Sequence, residues 1–283
     1  MTTLAAQRPA LPAWAYDLLQ PRNLVAGMIT ATLALAEWQF HVIDGPVKMI
    51  AALGSCLAVE AALGWLLLGR RVPLQSAWVS ATSLTVLLRP HGDAVWPYVV
   101  GAILAIGSKY VIRYRDRHLW NPTNLAVCAL LLLAGPSVGV LGDQWGNTVV
   151  VNSLVWLFGL LVSSRARMLH VTLTYVGGFI TFACLRAAAL DQPLWGELAP
   201  LTGPMYQLMS FFMMTDPRTV VSSRRGQIAV AATITAVEAL LRTGLSLGWS
   251  WCAPFAAAPA MFSLFLVGPL ALMIDLSRRP AAP

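Results

Sequence analysis

Charge is what this sequence has least of. Only 11% of its 283 residues are Asp, Glu, Lys or Arg, where a soluble domain carries about 25%. The charges are also clustered, leaving apolar windows of roughly 18–23 residues, the length that crosses ~30 Å of hydrocarbon. That pattern excludes an ordinary soluble domain, and the mean hydropathy of +0.68 agrees. Acidic residues are scarcer than basic ones, 12 against 19. The basic surplus lies between apolar runs, so it needs no nucleic acid to explain it. Cysteine is scarce too: Cys56, Cys128, Cys184 and Cys252 lie singly in or beside different runs. With no C-x-x-C pair, neither a zinc site nor a disulfide framework is indicated. Each is an apolar filler or, at a subunit contact, one ligand of a shared iron–sulfur cluster. His41, His91, His118 and His170 offer no facing pair at membrane depth, so haem is not expected. The sequence also has no P-loop, G-x-S-x-G elbow or H-E-x-x-H, which argues against soluble-enzyme chemistry in this chain.

What is present is a series of ten apolar spans: Leu24–His41, Val47–Leu68, Leu74–Leu88, Val95–Val111, Thr123–Gly139, Thr148–Ser164, His170–Ala189, Leu198–Thr215, Gly226–Arg242 and Pro254–Ile274. With the N-terminus inside, fifteen of the nineteen Lys and Arg fall on the inner side, leaving only Lys48, Arg89, Arg186 and Arg242 elsewhere. The positive-inside rule then fixes both parity and orientation. Trp38, Trp96, Trp145, Trp195, Trp249 and Trp251 fall near outer span ends, as an aromatic belt would place them. The expectation is an all-α polytopic protein of the bacterial inner membrane with both termini cytoplasmic. Its parts are a segment 1–23, a transmembrane domain 24–274 and a tail 275–283. The first span ends in Ala-Leu-Ala like a signal-peptide cleavage site. About 23 residues precede that span, and its removal would break the two-part pattern described next, so it is expected to remain.

Two spans make poor membrane helices. Leu74–Gly92 carries five Ser or Thr and stops at Arg89-Pro90; Pro204–Ser223 stops at Asp216-Pro217. Each is the third span of its half, and a Pro opens the fifth span of each half, at Asn121-Pro122 and at Cys252-Ala253-Pro254. Five spans per half is an odd number, so halves 24–139 and 148–274 are expected to be inverted repeats with interrupted third helices. Such breaks point to a site near the midplane, because irregular backbone at that depth needs protein, cofactor or water to satisfy it. The breaks are expected to converge on one cavity. Alternatively, the Ser and Thr only bond their own backbone or join helices.

The stretch RHLWNPTN concentrates polarity at one break. His118, Asn121, Thr123 and Asn124 supply donors and acceptors, and Trp120 supplies a flat apolar face. An isoalloxazine needs that mixture. Asn121 is equally suited to be an N-cap, with Pro122 at the first helical position. At the other break, Thr215 and Arg218 flank Asp216, which could cap a turn, face a cofactor or hold a cation.

These segments carry a resemblance. Ser108–Leu132, SKYVIRYRDRHLWNPTNLAVCALLL, resembles the lysine and R-x-x-x-NP segment of the RnfD/NqrB membrane subunits, which serve the Rnf and sodium-pumping NADH:quinone oxidoreductase complexes. SFFMMTDPRTV (Ser210–Val220) looks like their FFMxTDPxT signature, and SATSLTVLLRP (Ser80–Pro90) is similar to their earlier half-helix. The likeness runs from about Leu74 to Leu276 and is closest to short, stand-alone RnfD-like proteins. It implies a ten-span inverted-repeat fold and flavin. The family's covalent FMN hangs from D-x-x-[ST]-G-A-[ST]; the corresponding loop Gly135–Val149 lacks it, so no covalent FMN is expected. A non-covalent flavin, riboflavin or FMN, would by resemblance touch His118 and Asn121, with Trp145 covering it and Thr215 and Asp216 nearby.

Two acids lie inside spans. Glu60 has no cation one turn away and is a functional candidate by default, either protonated, bonded to a backbone carbonyl, or part of a proton or ion path. Glu238 has Arg242 four residues on, a local pair. The leading expectation is an electron-transfer subunit working with other membrane or extracytoplasmic redox proteins in the lipid bilayer. The alternatives are a solute or ion transporter, and a scaffold or accessory protein of a biosynthetic cluster.

Overall fold

A computed structural model describes residues 21–40, 46–140 and 149–278. Eleven α-helices carry the fold within these residues: α1 (Pro21–Phe40), α2 (Pro46–Leu68), α3 (Gln75–Leu87), α4 (Trp96–Val111), α5 (Pro122–Ala134), α6 (Val149–Arg165), α7 (Leu169–Leu190), α8 (Leu194–Leu198), α9 (Pro204–Leu208), α10 (Arg224–Ser246) and α11 (Pro259–Ser277). Four of them, α2, α7, α10 and α11, are long and apolar enough to cross a membrane. Large apolar side chains stand exposed along these helices, among them Leu66 at 75%, Leu185 at 58% and Leu270 at 62%. Surfaces of that kind are compatible with lipid as the surrounding solvent.

The helices have local causes. Asn121 caps α5 with Pro122 at its first position, accepting from Asn124 N at 3.2 Å. Ser223 caps α10 through Gly226 N at 3.1 Å. At its far end α2 stops in Gly69, whose φ of +62° suits glycine.

Packing follows a pattern. In the first half α2 lies along α4, and α4 along α5; in the second, α7 lies along α10, and α10 along α11. The principal contacts between the halves join α1 to α6, α3 to α9 and α5 to α11.

The described residues are mostly helical, as expected, with two short strand pairs added. Leu88–Pro90 (β1) pairs antiparallel with Val138–Val140 (β4), and Arg113–Tyr114 (β2) with Arg117–His118 (β3). The first pair exists because Arg89-Pro90 stops α3 and frees backbone polar groups that need partners. Tyr98 Oη adds a bond to Leu88 O at 3.1 Å, and His91 N bonds Ser137 O at 3.0 Å. The second pair is a hairpin with positive φ at Arg115 and Asp116, the primed two-residue turn that matches strand twist. The eighth apolar stretch is not one helix. After α8 it runs as a 3-10 turn (Ala199–Thr202), five-residue α9 and a π-turn (Met209–Met213). The last helix starts at Pro259, not Pro254, which lies inside a 3-10 turn (Ser250–Phe255). The residue before a proline avoids helical geometry, and Ala258 is accordingly outside it at φ −155°, ψ 66°.

Candidate functional site

The NP and TDP segments, about a hundred residues apart in sequence, meet at one junction. The β2–β3 hairpin delivers Arg117 to the loop after the π-turn. Its Nε donates to Arg218 O at 3.1 Å, and its Nη2 donates to Pro217 O and Val220 O, each at 2.7 Å. One guanidinium fork thus fixes the whole Pro217–Val220 turn, a task suited to its several rigid donors. Arg115 adds a bond to Leu276 O at the end of α11.

Asn121 is the second tie. While its Oδ1 caps α5, its Nδ2 donates to Asp216 Oδ2 at 3.3 Å. The other oxygen of Asp216 accepts Arg218 N at 3.0 Å, closing a local Asx-type turn. Burial raises the Asp216 pKa above the usual carboxylate range, although Arg218 N and Asn121 oppose that shift. His118 lies beside Arg218, with Nε2 to Nη1 at 3.4 Å. Burial first, then the Arg218 and Arg113 charges, push its pKa down to about 4. The ring is therefore neutral at pH 7. Since an arginine can only donate, Nε2 accepts and the proton is assigned to Nδ1. That Nδ1–H is buried without a partner, as is Asn124 Oδ1.

Behind the junction lies a cavity of about 30 Å³, bordered by Trp120, Asn121, Asn124, Met213, Met214 and Gln227 among others. Trp120 donates Nε1–H to Phe265 O at 2.9 Å and leans on the Phe265 ring at 5.7 Å. Asn124 donates to Met261 O at 2.9 Å, leaving its oxygen toward no partner. Of the expected site residues, Trp120, Asn121 and Asn124 reach the cavity wall. His118 and Asp216 belong to the junction but not to that wall. Thr215 is spent on its own helix, donating to Phe211 O. Thr123 is buried in the first turn of α5, off the wall. Trp145 lies outside the described residues.

On the cavity wall the unused oxygen of Asn124 could accept from a flavin's polar edge, whereas the unused N–H of His118 lies off that wall. The space does not suit a flavin. Ligand pockets run to about 300–1,000 Å³, whereas this one has room for roughly two waters. With Trp120 bonded to Phe265 O, the site is closed to an isoalloxazine.

Among the described residues the β1 break pairs with β4 of its own half and borders none of this cavity, so convergence of both third-span breaks on one cavity is corrected. Sequence reasoning also missed Gln227, which holds Val221 O at 2.9 Å and His170 Nε2 at 2.7 Å while bordering the cavity. Glu60 makes no direct bond to the junction, but it and Lys109 lie within Coulombic range of His118, and it is not alone. Lys109 Nζ lies 3.0 Å from its Oε2, and Tyr110 Oη donates to Oε1 at 2.8 Å. Lys109 also donates to Ser76 Oγ at 2.9 Å. Glu238 is fully buried, accepting from Tyr175 Oη at 2.7 Å and Arg242 Nε at 3.0 Å, with Tyr206 Oη on the same oxygen. Both carboxylates are paired and hydrogen-bonded, the condition under which buried charge is tolerated.

Comparison with protein-family models and with curated proteins finds no match for this chain.

Proposed function

We propose that this chain is an RnfD/NqrB-like electron-transfer subunit of a bacterial inner membrane, in which the NP–TDP junction forms one wall of a non-covalent flavin site. The observation that carries the proposal is the junction itself. Asn121 and Asp216, from the two segments on which the family resemblance rests, touch at 3.3 Å. Arg117 fastens the same two segments through three carbonyls. Ten spans in two inverted halves are part of the reading. Its support is the packing, because the α2–α4 and α4–α5 pairs have counterparts in α7–α10 and α10–α11. Each principal contact between halves joins a span to its own counterpart, first to sixth, third to eighth, fifth to tenth, as a twofold axis between the halves requires. The clustering of Lys and Arg in alternate loops supports a cytoplasmic position for both termini.

A bound flavin would supply the redox chemistry. The chain's own residues on the cavity wall would position it: Asn124 Oδ1 as an acceptor, and Trp120 as a plug that must leave Phe265 O before a ring can enter. The test is riboflavin titration of purified protein, followed by quenching of flavin fluorescence. Trp120→Ala should bind riboflavin at least as tightly as the natural chain, and Asn124→Leu should weaken it by about tenfold, the cost of one buried hydrogen bond. Failure of both the natural chain and Trp120→Ala to bind would overturn the proposal.

A transporter is the second reading, favoured by one observation. Two helices long enough to cross a membrane each carry a buried carboxylate paired with a cation, Glu60 with Lys109 and Glu238 with Arg242, and ionisable groups at membrane depth mark ion paths by default. Ion flux in liposomes that Glu60→Gln abolishes without flavin would favour it.

A further inference from the structure

At the end of the molecule opposite the basic loops, α7, α9, α10 and the start of α11 enclose an open vestibule of about 420 Å³. It is unrelated to the flavin proposal, because it borders none of the NP or TDP residues. Its size falls in the range of small-molecule sites. Arg186 and Arg242 supply the cationic part of its wall, Tyr206 and Ser246 add hydroxyls, and Met205 and Leu245 add apolar surface.

Three features favour an anion there. Arg186 is 8% exposed, and its Nη2 bonds Glu197, yet its Nε–H is buried with no acceptor. Leaving a buried charged donor unsatisfied is costly, and an incoming acceptor would recover that cost. Arg242 is held in place by Glu238 and by Tyr206 Oη, so its guanidinium is pre-positioned at the floor. Finally, Pro259 at the wall is the first residue of α11, a 19-residue helix that starts without a side-chain cap. An uncapped helix start favours negative charge. Because Glu197 and Glu238 already balance the two arginines, recognition comes from unused N–H donors rather than net charge. The apolar walls call for an apolar body on the ligand.

We propose that this vestibule binds an organic anion, a carboxylate or phosphate carried on a small apolar body, with Arg186 as its principal donor. Such a group comes either from a soluble solute or from a lipid headgroup.

The test is calorimetric titration of the full chain in phosphatidylcholine nanodiscs with benzoate and with phenyl phosphate. Saturable binding of either probe is expected. Arg186→Lys keeps a cation for Glu197 but loses the guanidinium fork, and should weaken binding about tenfold or more. Ala257→Trp places an indole in the vestibule while leaving both arginines in the chain, and should abolish binding. Repeating the titration in phosphatidylglycerol nanodiscs separates the sources: weakened probe binding identifies a headgroup as occupant, and unchanged binding identifies a soluble solute. No saturable binding of either probe up to ~10 mM by folded protein would overturn the proposal. So would binding that both variants leave unchanged.

Discussion

Asn121→Asp is the substitution that probes the junction most sharply. Aspartate caps a helix as well as asparagine does, so the contact with Asn124 N survives. What changes is the other side, where Asn121 now donates to Asp216 Oδ2 at 3.3 Å. Two carboxylates at that separation repel by about 5 kcal/mol at an effective dielectric near 20. The protein can instead protonate one of them, which costs about 4 kcal/mol at pH 7 from an ordinary carboxylate pKa and less at Asp216, whose pKa burial raises. The smaller figure sets the ceiling, so a loss of about 2–4 kcal/mol at neutral pH is expected. It should shrink by up to about 1.4 kcal/mol for each pH unit lowered, until one carboxyl holds a proton in both states. The assay is unfolding of the detergent-solubilised protein across pH. Adding Asp216→Asn should restore most of the stability, because the pair is then only exchanged. An Asn121→Asp chain as stable as the natural one at pH 7, or a double variant with no recovery, would refute the contact and the junction built on it.

Other perturbations have equally definite outcomes. Arg117→Lys should destabilise nearly as much as Arg117→Ala, by about 2–4 kcal/mol, since one ammonium cannot serve the three carbonyls of the 217–220 turn; thermal unfolding of both variants checks this. His118 is held neutral with a pKa near 4, below its unfolded value of about 6.5. The unfolded chain binds the extra proton in that window, so stability should fall as pH drops from about 6.5 to 4. His118→Gln should flatten that part of the stability–pH profile. Glu60→Gln leaves Lys109 buried without its counter-charge and should cost about 3–5 kcal/mol, with Glu60→Gln/Lys109→Met recovering most of it. Differential unfolding of the single and double variants decides the point.

Much of this architecture could be read from short-range sequence. The Asn121 cap and Pro122 helix start depend on neighbours within one turn. The apolar stretches are long enough that helix is the main way to satisfy their backbone. The Glu238–Arg242 pair is four residues apart on α10 and equally local. Glu60 is the contrast: its partners Lys109 and Tyr110 come from another helix, and no local pattern announces them. The β1–β4 pair was hidden because LRP and VGV are too short to show alternation. The start of α11 was misplaced because Pro254 and Pro259 lie close together, and only the backbone at Ala258 decides between them. At the junction, the residue types were legible in RHLWNPTN and TDPRT. Their division was not: Asn121 and Asp216 hold the segments together, Asn124 and Trp120 face the cavity, and Thr215 turns back on its own helix.

The central claim is that the NP–TDP junction borders a flavin site. The visible absorption spectrum of detergent-purified protein, before and after acid precipitation, tests it most directly. Absorbance near ~450 nm that moves into the supernatant is the predicted result, as expected of a chromophore held by hydrogen bonds and packing rather than by a covalent link. Folded protein with no absorbance there, and none after incubation with riboflavin, would contradict the claim.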